Sequence, residues 1–267
     1  MPLNTQNWLR QHSDSPLFPD ILWSRPETKL GAGKILIIGG NSFGFAATAL
    51  AYSESVKAGV GSARVLLPES LRKTVGAHLQ EADFAMNNPS GSFAKTALQQ
   101  FLSYANWGEG VLLAGDFGRN SETSVLLESF CKKYTGPLTV TQDALEYFLA
   151  EPRYVVERPL TTLVASYEQL QKIALHLKYA KPLLFNMDAS RTVEWLQEYS
   201  GAFTSPVFIT SHLDQVFVAR GGRVATQASN DDKTWRVKTA AHGAVYWLQN
   251  PGKQFEAIVT SLLPETR

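Results

Sequence analysis

The stretch from Gly33 to Pro68 leaves little freedom in what this chain can become. Lys34 to Ile38 carries a short unbroken aliphatic run, the composition of a parallel strand covered on both faces. Gly39-Gly40-Asn41-Ser42-Phe43-Gly44 reads as a turn, and Ala46 to Ala58 as a helix that Gly59 and Gly61 end. Arg64 to Leu67 is then a second strand, stopped by Pro68. Together these make a βαβ unit.

The alternation continues down the chain. Strands are expected at Gly110 to Ala114, Pro137 to Thr141, Thr161 to Val164, Leu183 to Asn186, Val207 to Thr210 and Val216 to Ala219, with Gly221-Gly222 turning into Arg223 to Thr226. Helices are expected at Ser121 to Tyr134, Tyr167 to Leu177, Thr192 to Tyr199 and Ala240 to Gln249. Strands alternating with amphipathic helices predict an α/β fold, a mainly parallel sheet with helices on both faces. Ligands of such sheets sit beyond the C-terminal ends of the strands, which singles out the turns there.

A chain of 267 residues buries about 70–75% of its unfolded surface, so neither disulfides nor a structural metal are needed. Cys131, the single cysteine, lacks an intrachain partner. Residues Met1 to Lys29 mix Pro2, Pro16, Pro19 and Pro26 with Trp8, Phe18 and Trp23, which predicts a short N-terminal helix and an irregular arm packed on the body. Residues 30–267 are expected to form one domain. With a net charge of +1 and no basic block, nucleic acid is not expected as the main partner. Met1 to Asp14 has neither a basic n-region nor an apolar h-region, and no apolar run approaches the ~20 residues of a membrane span. A cytoplasmic protein without membrane association is the expectation.

Gly31-Ala32-Gly33-Lys34 ends like a phosphate loop but precedes a strand instead of following one, so it reads as an entry turn. The turn from Gly39 to Gly44 is correctly placed between strand and helix. Gly40, Asn41, Ser42 and Gly44 either bring backbone close to an anionic ligand at the helix start or simply fit the turn. Gly115-Asp116-Phe117-Gly118-Arg119-Asn120 repeats the arrangement, and two such turns can lie side by side and share a ligand. The alternative is structural: Gly118 supplies a turn, Asp116 or Asn120 caps the helix, and Arg119 is solvated. Asp143, after the next strand, either faces the same site or caps a helix from Ala144 to Leu149. His12, His78, His176, His212 and His242 show no metal-ligand spacing, so no metal site is expected. A serine-hydrolase assignment is set aside.

The order from Lys34 to Glu69 resembles the opening of the ADP/ATP-dependent NAD(P)H-hydrate dehydratases of the ribokinase-like superfamily. It runs through Gly-Lys, four aliphatics, Gly-Gly-Asn, a small-residue helix, Lys57-Ala58-Gly59-Val60-Gly61, a strand and Pro68-Glu69. Gln80-Glu81-Ala82 is similar to that family's Pro-Glu segment, Ala114 to Asn120 to its Gly-Pro-Gly-Leu-Gly-Arg, and Asp143-Ala144-Leu145 to the end of its Asp-Ala-Asp-Ala-Leu. The resemblance implies a ribokinase-like three-layer α/β/α sandwich.

It also implies ADP or ATP as cofactor, with or without Mg2+, and hydrated NADH or NADPH as the substrate whose hydroxyl is phosphorylated and eliminated. Gly40 to Gly44 and Asp143 would face the hydrate, with Gly115 and Gly118 beside them. Thr210 and a helix start from Thr239 to Gly243 would face the nucleotide phosphates, and Asp143, Asp116 or His242 would move the proton. Family members form oligomers, which implies a homo-oligomer, with Trp8, Phe18 and Trp23 of the arm packing on a neighbouring subunit.

The second half departs from the pattern. Leu163 to Glu168 stands where the family has Thr-Pro-His-Pro-Gly-Glu and keeps only the glutamate; Thr141 replaces an aspartate; Thr210-Ser211 replaces Lys-Gly. Val237 to Ala244 occupies the place of Gly-Thr-Gly-Asp, whose amides make an anion hole and whose aspartate is the general base. Three readings follow: a diverged dehydratase, a non-catalytic nucleotide-binding paralogue, and a small-molecule kinase, which the absent aspartate disfavours.

Overall fold

The structure, a computed structural model, describes residues 5–77, 79–229 and 233–264; Pro2 of the expected arm and His78 lie outside them. The βαβ unit forms as the sequence requires. β2 (Lys34–Gly39) leads into α2 (Ala46–Lys57) and β3 (Ser62–Pro68), preceded by a short edge strand β1 (Trp8–Gln11) and a five-residue helix α1 (Pro19–Trp23). α3 (Arg72–Val75), β4 (Ala82–Ala85), α4 (Leu98–Ala105), β5 (Gly110–Gly115) and α5 (Ser121–Lys133) complete the first half.

The second half holds β6 (Leu138–Thr141), α6 (Arg153–Val156), β7 (Thr161–Val164), α7 (Tyr167–His176) and α8 (Ala189–Ala202). It ends with the hairpin strands β8 (Val207–His212), β9 (Gln215–Arg220) and β10 (Arg223–Ala228), then α9 (Trp235–Gln249) and α10 (Gln254–Thr260).

One sheet takes all ten strands in the order β1-β10-β9-β8-β7-β6-β5-β2-β3-β4. β4 through β8 are parallel to their neighbours across β3, β2, β5, β6 and β7, while β9 is antiparallel to both β8 and β10. Side chains alternate between faces with period two. Ile35 and Ile37 meet α2, α9 and α10 in one buried layer, and Leu36 and Ile38 meet α4, α5, α7 and α8 in the other. The architecture is a three-layer α/β/α sandwich with a mostly parallel sheet. No helix among the described residues is long and apolar enough to cross a membrane.

Three elements differ from the sequence reading. The short N-terminal helix is α1, but the arm is not wholly irregular: residues 8–11 form a strand that pairs with β10, and the Trp8 indole donates to Thr226 Oγ1 at 3.0 Å. Leu183 to Asn186 is not a strand, because β7 and β8 pair directly and leave no slot between them; Leu183 is buried and Phe185 exposed. α9 begins at Trp235, five residues before the expected Ala240. Of the arm's aromatics, Phe18 packs edge-on against Phe255, whereas Trp23 is 82% exposed.

Candidate functional site

The turns after β2 and β5 lie side by side, knitted by hydrogen bonds. Gly40 N–H donates to the Gly115 carbonyl (3.0 Å), and Asn41 Nδ2 donates to the Asp116 carbonyl (2.6 Å). Asn41 also closes its own turn: Oδ1 accepts from Phe43 N–H (2.7 Å), and its backbone exchanges both bonds with Gly44. Ser42 is tied to the loop before α4, its N–H to the Gly91 carbonyl and its Oγ to the Ser90 carbonyl. Gly39 permits the closest approach, since a Cβ there would stand 2.3 Å from the Gly115 carbonyl oxygen.

Asp116 sits at φ +59, a left-handed conformation uncommon outside glycine. That backbone turns its carboxylate toward α2, where Oδ2 accepts from Ala47 N–H at 2.7 Å. α2 has no side-chain cap of its own at Phe45, so Asp116 caps it from the neighbouring turn, and that amide is not open to a ligand. Asn120 caps α5 through Glu122 and Thr123 N–H.

Asp143 is not a helix cap. It lies in a 3-10 segment, Gln142–Phe148, whose N-cap is Thr141, and its Oδ2 accepts from Gly118 N–H at 3.1 Å. Burial pushes its carboxyl above the usual value, against the lowering effect of the Gly118 and Phe117 amides. Oδ1 is buried without a hydrogen-bond partner among the described residues. Tyr147 closes the corner, donating to the Gly118 carbonyl at 2.6 Å, with burial holding its phenol up to about 12.

Beyond these strand ends lies a cleft of about 860 Å³, and a smaller one of about 440 Å³ lies on one face of the sheet, between the last turn of α2, α9 and the end of α10. The larger is lined by Gly118, Asn120, Gln142, Asp143 and Glu146, with Arg119, Lys172 and Arg236 on its walls. The smaller is lined by Lys57, Ser229, Lys238, Thr239, His242 and Ser261, with Glu54 at its base. His242 Nε2 is 3.1 Å from Glu54 Oε2, and Lys57 Nζ is 2.6 Å from Glu54 Oε1. Burial raises the Glu54 carboxyl, but the hydrogen bonds from Lys57 and His242 outweigh it and hold the group below its ordinary value.

The expected site residues are therefore divided. Asp143 and Gly118 face the larger cleft, Thr239 and His242 the smaller, and Gly40, Asn41, Ser42, Gly44, Gly115 and Asp116 line neither. Thr210 is buried in β8. Gly243 lies where α9 packs on α10; a Cβ there would stand 3.6 Å from Ile258. Because α9 starts at Trp235, Thr239 to Gly243 lie inside the helix, and the amides there belong to intrahelical bonds, not to an open helix start.

Other positions of the departing motifs are committed elsewhere. Thr141 donates its hydroxyl to the Val164 carbonyl at 3.0 Å, and Glu168 is on the outside, paired with Lys172 at 2.8 Å. No group of three or more His, Cys, Asp or Glu side chains among the described residues is arranged to hold a metal. Cys131 is buried, which pushes its thiol up to about 12 and leaves it unreactive.

Gly40-Asn41-Ser42-Phe43-Gly44 also spells Gly-x-Ser-x-Gly between a strand and a helix, so geometry must decide against a hydrolase elbow. Ser42 is not at positive φ, and its hydroxyl donates to a backbone carbonyl. Among the described residues no histidine is hydrogen-bonded to it. The residue the sequence reading missed is Gln169. It is 6% exposed and uses its whole amide: Nε2 donates to the Gln142 carbonyl and Glu146, and Oε1 accepts from Ser166 N–H and Arg236. The Ser166-x-x-Gln169 capping box was the available signal.

Comparison with known proteins agrees with this architecture. A ribokinase-like superfamily protein from Enterococcus faecalis superposes with a TM-score of 0.73 at 15% identity, covering 98% of this chain and 87% of that one. The ADP/ATP-dependent NAD(P)H-hydrate dehydratase from Bacillus subtilis, co-crystallised with ATP/Mg2+, gives 0.65 at 11% identity over 92% and 86%. A phosphomethylpyrimidine kinase from Clostridium difficile gives 0.53 at 13% over 85% and 96%. No family model and no curated protein matches the sequence. The fold is ribokinase-like, and at these identities the likeness carries the fold alone.

Proposed function

We propose that this protein is a diverged relative of the ADP/ATP-dependent NAD(P)H-hydrate dehydratases that binds a nucleotide without running the family's repair reaction at its normal rate. The observation that carries this reading is the division of the site: Asp143 faces the larger cleft, while Thr239 and His242 line the smaller. The nucleotide, ADP or ATP with or without Mg2+, belongs in the smaller cleft. Its donors suit that ligand: the ammonium groups of Lys57 and Lys238 for phosphate, and the hydroxyls of Ser229 and Thr239 for the sugar. Hydrated NADH or NADPH, if bound, belongs in the larger cleft against Gly118 and Asp143. The turn glycines Gly40, Gly44 and Gly115 and residues Asn41, Ser42 and Asp116 then shape the wall behind it. Gly243 supports the nucleotide side from within the fold, whereas Thr210 lies on the opposite face of the sheet, with Phe208 and Phe217.

An active dehydratase is the second reading, favoured by one feature. Asp143 has a buried, unpartnered Oδ1 and a raised proton affinity, the properties of a proton carrier. A kinase reading has no aspartate at the described start of α9 to serve as base. The test is to incubate the protein with hydrated NADH and ADP or ATP and follow the reduced-nicotinamide absorbance, with nucleotide binding measured separately by calorimetry. The expected result is bound nucleotide and return no faster than the spontaneous rate. Faster return, abolished in Asp143→Asn, establishes the second reading; absence of nucleotide binding overturns the first.

A further inference from the structure

A third cleft, of about 500 Å³, opens over the edge strands β1, β10 and β9. Register assembles its floor. Thr226 pairs with Arg10 on one side and Phe217 on the other, and two residues on, Ala228 pairs with Gln215. These residues therefore share the face on which Phe217 and Val224 pack against the α8 layer. α8 itself reaches the lining only with its first residue, Ala189, so this end of the face is left uncovered.

The wall beyond β1 is a tight turn. Ser15 N–H closes it on the His12 carbonyl at 3.1 Å, which leaves Asp14 at the tip. Buried Gln11 anchors its base: Nε2 donates to Gln227 Oε1 and to the Val259 carbonyl, each at 2.6 Å, and Oε1 accepts from Leu17 N–H at 3.4 Å.

Two opposite charges line this space without neutralising each other. The Arg10 guanidinium lies 4.1 Å from the centroid of the Trp8 ring, and among the described residues it meets no carboxylate. Asp14 likewise meets no cation there; His12, on the same turn, is the other titratable group of the lining. On the floor, Gln215 Oε1 is buried with no hydrogen-bond partner among the described residues, a cost that a ligand donor would remove.

We propose that this third cleft binds an α-amino acid with an aliphatic side chain. Its carboxylate takes the Arg10 fork, its ammonium Asp14 and Gln215, and its side chain the apolar surface of Trp8, Ala189 and Ala228. The balance of the walls selects the class. A multivalent anion would set its charge beside Asp14 with a single guanidinium to hold it, and a simple amine would leave Arg10 without a counter-charge. A ligand carrying both signs satisfies both. None of the residues given a role in nucleotide or hydrate binding lines this cleft, so the inference does not rest on that reading.

The test is calorimetric titration of the full chain with L-alanine, L-valine and L-leucine, beside two single-charge relatives of leucine, 3-methylbutylamine and 4-methylpentanoate. At least one amino acid is expected to bind, and neither relative. Arg10→Gln and Asp14→Asn are each expected to weaken binding by about tenfold or more and to leave nucleotide binding unchanged. Both residues are exposed, and neither side chain is bonded into the turn, so both variants keep the fold. No binding of any of the three amino acids overturns the proposal, as does equal binding of either relative or wild-type affinity in either variant. Amino-acid binding without nucleotide binding sinks the earlier reading alone, and the reverse sinks this one alone.

Discussion

The knitted turns at the ends of β2 and β5 and the cleft beside α9 invite opposite mistakes. In the turns, residue types that suit a ligand loop have spent their polar groups on one another: Asn41 on Asp116 and Phe43, Asp116 on Ala47, Ser42 on Ser90. Beside α9, residues that look structural in the sequence, Glu54 and Lys57 on the flank of α2, frame open space together with His242. A glycine turn reports how closely two backbones approach; whether a ligand or another loop fills that approach is decided by the partner strand.

Substitutions at the two regions should separate in size. Gly39→Ala is the harshest break, because the new Cβ would meet Thr48 Oγ1 at 2.4 Å as well as the Gly115 carbonyl. A loss of about 3 kcal/mol, read as a fall in Tm of roughly 6–12 °C, is expected; an unchanged Tm would mean the two turns are not locked. Asn41→Ala removes both side-chain bonds of a buried residue and strands the Asp116 carbonyl, at a cost of about 2 kcal/mol by denaturant titration.

His242→Ala, in the other region, takes one of two partners from Glu54 and is expected to cost about 1 kcal/mol near neutral pH. The sign with pH follows from the lowered Glu54 carboxyl. Its stabilisation is present above its ordinary value of 4.5 and lost as pH falls through the lower folded value, so wild type and variant converge in acid. Equal pH curves would show that the pair does not couple.

Asp143→Asn is the mildest change and has the opposite slope. A carboxyl raised by burial binds its proton more tightly in the folded state, so its favourable contribution is full below 3.8 and is lost as pH rises through the raised value. The variant has no charge to bury, and its Tm relative to wild type should rise with pH across that window, as seen by scanning calorimetry at several pH values. A difference that falls with pH would mean that Asp143 is held by an opposing charge instead.

The part of the fold legible in the sequence is the part whose strands are covered on both faces. β2 and β5 carry continuous apolar runs bounded by turn residues, β7 is the β-branched-rich Thr-Thr-Leu-Val, and all three came out within a residue. The two sheet edges did not. β1 contains Arg10 and Gln11, and β4 is four residues with Asp83 inside, so neither shows the run that marks a covered strand. Leu183-Leu184-Phe185 failed the other way, since three apolar residues imply a strand only if the sheet has a vacancy, and that is a property of the neighbours. At the site, the proximity of the two turns was readable from strand order. The start of α9 was not, because Trp235 and Val237 are indifferent helix formers and Thr234 makes no side-chain cap there. Gln169 could be read only as a cap, since apart from the local Ser166 its partners, Gln142, Glu146 and Arg236, come from distant segments.

β1 has one further consequence, for the order in which the molecule is made. Its only partner among the described strands is β10, and Gln11 and Gln227, bonded side chain to side chain, stand 216 residues apart. At ordinary rates of synthesis β1 waits roughly 10–40 s for its partner. During that wait Trp8 and Leu9 must be kept from other chains with exposed edges. Their docking seals the sheet last, so the amides of β1 should gain protection from solvent exchange after those of β2, β3 and β5 as the protein refolds.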